Sequence, residues 1–440
     1  MPSLNAYRSW GRYPKSRHRD VLRLTHRDRA LPTDNGMLLP FGNGRSYGDS
    51  CLNSDGVLLD VRGLDRFIEF DREKGRIQCE AGVLLSQVLA LIVGSGWFLP
   101  VTPGTRYVTV GGAIANDVHG KNHHVAGTFG HHVNSFELLR SDGQRLVCNP
   151  LENEGLFAAT IGGLGLTGLI TWVDFDLKPI GSPQVLVDTV RFDNVDGFFE
   201  LALRSDLEHE YTVAWVDCLA RGGELGRGVY ISGNHAPSQA NGSPRAPSRR
   251  LSMPFDPPIS LVSNATLRAF NSVYYRKPVS RGAPQIQHYA QFFYPLDSVA
   301  NWNRIYGPKG FLQYQSVVPM AAAHDATRAM LERIAHSGQG SFLSILKLFG
   351  CRPSRGMLSF PREGVTLALD FPFRGEATLG LLDDLDSIVL EAGGAVYPAK
   401  DARMSPELFA AGYPKADTFQ HYIDPLFSSS LWRRVRGGAG

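Results

Sequence analysis

No stretch constrains this chain more than Pro103 to His124. Within it Gly111 and Gly112 interrupt the apolar run Val108 to Ala115, Gly104 and Gly120 stand on either side of that run, and Asn116, Asp117, His119, Lys121, His123 and His124 follow. Glycine has no Cβ, so the backbone can come within hydrogen-bonding distance of a flat or anionic ligand. His119 and Lys121 then place a titratable group and a cation beside whatever that backbone holds. The stretch reads as the floor of a cofactor site, with a flavin as the expected occupant.

Two further glycine-rich passages support this reading. The loop Gly42, Asn43, Gly44, Arg45, Ser46, Tyr47, Gly48 and Asp49 lies between two apolar segments within 38–61. A dinucleotide fingerprint needs G-x-G-x-x-G opening a helix. Here the third glycine comes one place late, and the turn Asn53-Ser54-Asp55-Gly56 leads into the apolar run Val57 to Val61. The loop fails that motif on both spacing and context. Its N–H groups still form a nest for an anion, to which Arg45 and Ser46 can add charge-assisted bonds. The third passage, 159–170, enters a strand through Gly162, Gly163, Gly165 and Gly168.

At 440 residues the chain exceeds one core, and two domains are expected. The texture changes around Pro179 to Pro183, which puts one domain at 1–180 and a second from 181. Apolar spacing predicts helices near 84–93, 194–203, 326–334 and 379–390, the last stopped by Gly393-Gly394. Asp142-Gly143 predicts a hairpin. Aromatic-rich strands are expected at Tyr211–Val216, Gln291–Tyr294 and Phe311–Val318, and at 233–258 a mobile lid, with a membrane-skimming loop carrying Arg245, Arg249, Arg250, Leu251, Met253 and Phe255 as the alternative. Eight cations against two acids in the first thirty residues suggest a solvated arm.

Net charge of +3 gives no case for nucleic acid. Five scattered cysteines without a C-x-x-C pair argue against a disulfide framework and a zinc site, and favour a reducing compartment. Neither a secretory signal nor a membrane span is visible; Leu84 to Val101 is broken by Ser86, Gln87, Gly94 and Gly96. The expected location is cytoplasmic or peripheral at the inner membrane surface.

Five of thirteen histidines fall between His119 and His132. Gly120 and Asn122 argue against a helix that would pair His119 with His123, and Asp117 is the one nearby carboxylate, so no metal site is expected. Taken alone, Lys400 is an ordinary surface lysine, and Trp215 is a core aromatic. Gln313 and Gln315 alternate onto one face of a strand, as the wall of a polar pocket would.

Several of these strings occur together in one family. The loop 42–49, the stretch 103–124, Gly165-Leu166-Thr167-Gly168-Leu169-Ile170, Phe311 to Gln315, Lys347-Leu348-Phe349-Gly350 and Ala399-Lys400-Asp401 resemble the vanillyl-alcohol-oxidase superfamily of flavoproteins with a PCMH-type FAD-binding domain. Within it the chain is similar to the decaprenylphosphoryl-β-D-ribose 2-oxidase family, the flavoprotein halves of two-enzyme epimerases. The likeness runs from about residue 38 to residue 426.

The resemblance implies a two-domain α+β fold, with a substrate domain of antiparallel sheet and helices at 181–394 and a segment 395–440 returning to the FAD domain. It implies non-covalent FAD, with Gly42 to Asp49 on the pyrophosphate and Gly104, Thr109, Gly111, Gly112, Asn116, Asp117, His119, Ile170 and Tyr397 along the rest. Lys121, Trp215, Gln313, Gln315 and Lys400 would meet the substrate, with Lys400 and His119 catalytic. The implied reaction oxidises C2 of a polyprenyl-phosphoryl-β-D-ribose to the 2-keto sugar, the first half of epimerisation to the arabinose form for cell-envelope polysaccharide. An NAD(P)H-dependent short-chain reductase would complete it. Two positions depart from the family: Ala368 replaces a cysteine and Phe293 a tyrosine. The rival readings are an FAD-dependent oxidase of a free sugar alcohol or aldonolactone, and a flavin-binding redox or regulatory protein without its own substrate.

Overall fold

The computed structural model describes residues 6–32, 36–238, 251–280 and 283–437. Part of the expected lid, 239–250, lies outside them. Val57–Asp60 is a fully buried apolar run, and it forms the centre of a parallel three-stranded sheet between Asp20–Arg23 and Leu38–Phe41. A strand covered on both faces reads as continuous hydrophobicity, and this one does. Residues 6–30 are therefore no free arm. Asp20–Arg23 pairs with that sheet, Tyr7 donates to Asp60 Oδ2 at 2.8 Å, and the Phe311 N–H donates to the Gly11 carbonyl at 2.8 Å.

An antiparallel five-stranded sheet follows, in the order Phe67–Asp71, Arg76–Glu80, Leu169–Asp176, Val133–Leu139, Arg145–Cys148. Its last two strands form the expected hairpin, and Gly143 takes the left-handed conformation its turn requires (φ +86°). Leu85, Val88, Leu89 and Ile92 lie on one stripe of the helix Leu85–Ile92 and are buried beneath it.

The second half is an antiparallel eight-stranded sheet. Its order is Gln285–His288, Gln184–Phe192, Gly228–His235, Tyr211–Val216, Ser344–Phe349, Gly364–Pro372, Phe311–Val318, Ala395–Val396. Helices Val195–Ser205, Ala323–Ser337 and Glu376–Glu391 cover one face through Phe198, Met330, Leu331, Ile334, Leu382 and Leu385, all buried. Each such side chain stabilises the packing by about 2 kcal/mol. The opposite face looks toward the glycine-rich half, so every second residue on the central strands points into the space between them.

Gln291–Tyr294 is not a strand. Most of it lies in a short helix, Tyr289–Phe293, whose amino end is capped by His288 Nδ1 accepting from the Ala290 N–H at 3.2 Å. Burial of Phe292 and Phe293 explains the aromatic content that suggested a strand. The C-terminal residues cross back to the first half: the Leu38 N–H donates to the Leu426 carbonyl and the Ser430 N–H to the Leu52 carbonyl. Among the described residues, no helix is long and apolar enough to cross a membrane.

Candidate active site

Between the glycine-rich half and the open face of the eight-stranded sheet lies a cavity of about 580 Å³. Its floor follows from Thr109, whose Oγ1 accepts from the Gly112 N–H at 3.1 Å and starts the six-residue helix Val110–Ala115. Gly111 and Gly112 thus sit in a helix, and not in an extended strip. A Cβ on Gly111 would stand 2.9 Å from Ala81 Cβ, and one on Gly42 would stand 2.6 Å from Thr109 Oγ1. These glycines are demanded by close packing under the floor. At Gly104 no atom lies within 4 Å of an added Cβ, and that residue opens onto the cavity.

Gly42 to Tyr47 line one end. Asn43 Nδ2 donates to the Tyr107 carbonyl at 2.7 Å, and the Arg45 guanidinium lies 4.0 Å over the Trp10 ring. Gly48 and Asp49 do not line the cavity; they hold the loop. A Cβ on Gly48 would collide with the Asp401 carbonyl. Asp49 accepts from Arg434 Nε at 2.9 Å and Nη2 at 2.8 Å, and the same Nη2 reaches Asp401 Oδ2 at 2.8 Å. The C-terminal helix Ser430–Arg436 thereby clamps the first loop to the 399–401 turn. Removing one partner from such a buried pair costs about 3 kcal/mol. Arg434→Met is therefore expected to lower the melting temperature and weaken cofactor retention together, as a thermal shift scored beside bound-cofactor absorbance will report.

Asn116 Nδ2 donates to the Gly112 carbonyl at 2.8 Å, and the Asn116 carbonyl accepts from Tyr397 Oη at 2.7 Å. Ile170 and Tyr397 line the cavity as expected. Asp117 does not. It is buried at a positive φ of 39° and accepts from the Gly130 N–H at 2.9 Å and Ser359 Oγ at 2.5 Å. It braces the turn behind the floor. Trp215 also falls outside the lining: its Nε1 donates to the Phe342 carbonyl at 3.0 Å and its ring lies 4.5 Å from Tyr274. Val213, two residues earlier on the same face, takes the place on the wall.

His119, Lys121, Lys347 and Lys400 converge on one region. Lys347 Nζ donates to His119 Nδ1 at 3.2 Å and to the Gly120 carbonyl at 3.1 Å. His119 Nε2, on the other side of the ring, faces Gln315 Nε2 at 3.0 Å. Gln315 Nε2 also donates to Thr366 Oγ1 at 3.2 Å. Burial, and then the charge of Lys347, holds His119 well below its usual pKa, so the ring is neutral. Burial lowers Lys121 to about 8. Lys347 is pushed down to about 7 by burial and then by the other two lysines.

Lys400 is likewise lowered to about 7 by burial, with Asp370 opposing, and its Nζ lies 3.8 Å over the Tyr47 ring. Burial pushes the Asp370 carboxyl up, and its Oδ1 accepts from Gln313 Nε2 at 2.6 Å. Lys347, Thr366 and Asp370 escaped sequence reasoning. The signal for Lys347 was present, since a lysine inside the apolar strand Ser344–Phe349 is out of place unless its face is functional. Ala368 and Phe293 both line the cavity. The remaining four histidines of the cluster are committed to backbone: His123 Nδ1 accepts from the Gly350 N–H, His124 Nε2 meets the His209 carbonyl, His131 Nε2 the Pro353 carbonyl and His132 Nε2 the Ala126 carbonyl.

Among known proteins, residues 29–149 match the family described as an FAD binding domain. The chain is 37% identical over 412 residues to the decaprenylphosphoryl-β-D-ribose oxidase of Mycolicibacterium smegmatis (strain ATCC 700084 / mc(2)155), spanning 90% of this chain and 88% of that protein. It is 36% identical over 372 residues to an uncharacterized protein in the mprA 5′ region of Streptomyces coelicolor, spanning 80% of this chain and 100% of that one. A shorter likeness, 34% over 130 residues, joins it to the Δ(24)-sterol reductase of Macaca fascicularis, covering 30% of this chain and 24% of the reductase.

Proposed function

Because the chain belongs to the decaprenylphosphoryl-β-D-ribose oxidase family of FAD-dependent oxidoreductases, we propose that it oxidises the C2 hydroxyl of a polyprenyl-phosphoryl-β-D-ribose to the 2-keto sugar. One observation carries this choice of substrate. Three buried lysines and a neutral histidine meet in one cavity, where the lining carboxylate, Asp297, is already held by Thr105 Oγ1 at 2.7 Å and the Arg106 N–H at 3.0 Å, while Asp370 lies behind the wall on Gln313. Burying that much positive charge is costly unless an anion enters with it, and a sugar phosphate supplies the anion. A free sugar alcohol or lactone does not.

The lining fits FAD. Gly42 to Ser46 present main-chain N–H groups and a guanidinium at one end, and Gly104, Thr109, Gly112 and Asn116 give a floor with little side chain. Ile170 and Tyr397 close it from the side. Non-covalent attachment is part of the proposal, and acid precipitation releasing free FAD checks it.

FAD held by these residues would supply the two-electron oxidant for the hydride leaving C2. The hydroxyl proton goes to Lys400 Nζ, which must arrive uncharged. His119, held between Lys347 and Gln315, orients the sugar, while Lys121 and Lys347 hold the phosphate and Gln313 and Gln315 line the ribose. The sign of the pH dependence follows: the neutral fraction of Lys400 rises as pH passes upward through about 7. kcat is expected to climb across that interval. A profile flat from about pH 6 to about pH 9 would remove Lys400 as the acceptor.

The keto product calls for a reductase, and an NAD(P)H-dependent short-chain enzyme is the proposed partner in making the arabinose form for cell-envelope polysaccharide. The proposed working place is a membrane surface, where such a substrate resides. Trapping the product with borodeuteride tests the reaction. Deuterium at C2 supports it; label at C1, or turnover of free sugar alcohols with none of the lipid phosphate, favours the soluble-substrate oxidase.

A further inference from the structure

Exposed apolar side chains are concentrated beside the cavity mouth. Leu251, Phe255, Ile259, Leu261, Phe270 and Val273 fall within one run of 23 residues, and Leu251, Phe255, Ile259 and Val273 are 69%, 62%, 72% and 68% exposed. A run this bare has a partner on a stable protein surface. It is held firmly from beneath. The helix Asn264–Tyr275 is capped by Ser263, buries Leu267, and anchors Asn271 through Nδ2 donating to Asp217 Oδ1 at 2.7 Å.

The run also adjoins the cavity directly. Leu251–Ser252 pairs in parallel with Val299–Ala300, and the Met253 N–H donates to the Ala300 carbonyl at 3.0 Å. Val299, Ala300, Asn301 and Trp302 are wall residues of the cavity. The bare apolar surface is thus the outer side of the mouth.

Charge decides what covers it. Asp256 is the single acid between 251 and 280, and it is engaged by Arg12 at 2.7 Å and Arg304 at 3.6 Å. Arg268, Arg276 and Lys277 are exposed on or just beyond the helix, and Val273 stands one turn from Arg276 and Lys277. Asp193, at the far end of the helix, accepts from Tyr275 Oη at 3.0 Å, so both carboxylates at this face are engaged, and apolar side chains flanked by cations match the interface of an anionic bilayer.

We propose that the 251–277 face seats the enzyme on an anionic membrane with the cavity mouth toward the lipid, so that a lipid-linked substrate enters without leaving the bilayer. The seating rests on the surface itself, and its link to substrate entry rests on the function proposed above. The FAD-loaded full chain is sedimented with vesicles of phosphatidylglycerol and phosphatidylcholine, and with phosphatidylcholine alone. The wild type should bind the anionic vesicles and release from them in high salt.

The triple variant Phe255→Asp, Ile259→Asp, Val273→Asp should lose binding by about 100-fold or more. Arg268→Glu, Arg276→Glu, Lys277→Glu should lose it by about fivefold per cation. Both should oxidise a short-chain, detergent-dispersed substrate at the wild-type rate, which also shows that they fold. A wild type that ignores anionic vesicles overturns the proposal, and so does an apolar variant that still binds them, whatever protein either recruits. Vesicle binding as expected, with no oxidation of any polyprenyl-phosphoryl ribose, leaves the seating standing and defeats the assigned reaction.

Discussion

Lys400→Met is expected to give a yellow protein with its full complement of FAD and a kcat lower by about 10³-fold. Methionine keeps most of the unbranched stem that crosses the Tyr47 ring, so the pocket should hold its shape. What disappears is the amine that takes the hydroxyl proton. Absorbance of the purified variant reports the cofactor, and steady-state oxidation reports the loss. Turnover within about tenfold of the wild type would end the assignment of Lys400. The companion change, Lys347→Met, frees His119 Nδ1 and should raise KM for the phosphorylated substrate more than it lowers kcat.

The second large effect is expected at Gly48→Ala. A methyl group there runs into the Asp401 carbonyl, while the Tyr47 N–H needs the Ala399 carbonyl at 2.9 Å. The loop must move off the 399–401 turn, and that parts Tyr47 from Lys400 and Asp49 from Arg434 together. FAD affinity should fall by about 100-fold, since overpacking of this kind costs roughly 3 kcal/mol. Gly104→Ala is the matched control. Its new methyl meets nothing within 4 Å, so folding should be unaffected and any change should be confined to ligand binding. Equal melting temperatures in the two variants would refute the packing account.

The glycine passages and the paired glutamines were legible because local rules govern them. Backbone that must approach a ligand or a neighbouring chain closely needs glycine, and two-residue alternation on a strand fixes a shared face. The hairpin at Gly143 and the helices of the second half followed from the same patterns. Lys400 could be placed only by resemblance, since nothing local brings it to Tyr47. That contact depends on the return of the strand Ala395–Val396 to Phe311–Val318.

The same long-range closure hid the true work of Asp49, which an arginine near the C-terminus explains, and of Asp117, whose partners are Gly130 and Ser359. Trp215 misled because its strand extends past the cavity and under the helix Asn264–Tyr275. The basic amino-terminal segment misled because its charges face outward while Tyr7, Ser9 and Gly11 are buried beneath.

The central claim is that one cavity joins FAD to a phosphorylated lipid sugar. The most direct measurement mixes the FAD-loaded enzyme with polyprenyl-phosphoryl ribose in the absence of oxygen and follows the visible absorbance. The account predicts bleaching by that compound and none by free ribose or by the polyprenyl phosphate alone. Absorbance that persists with the lipid sugar, or that falls equally with free ribose, would contradict it.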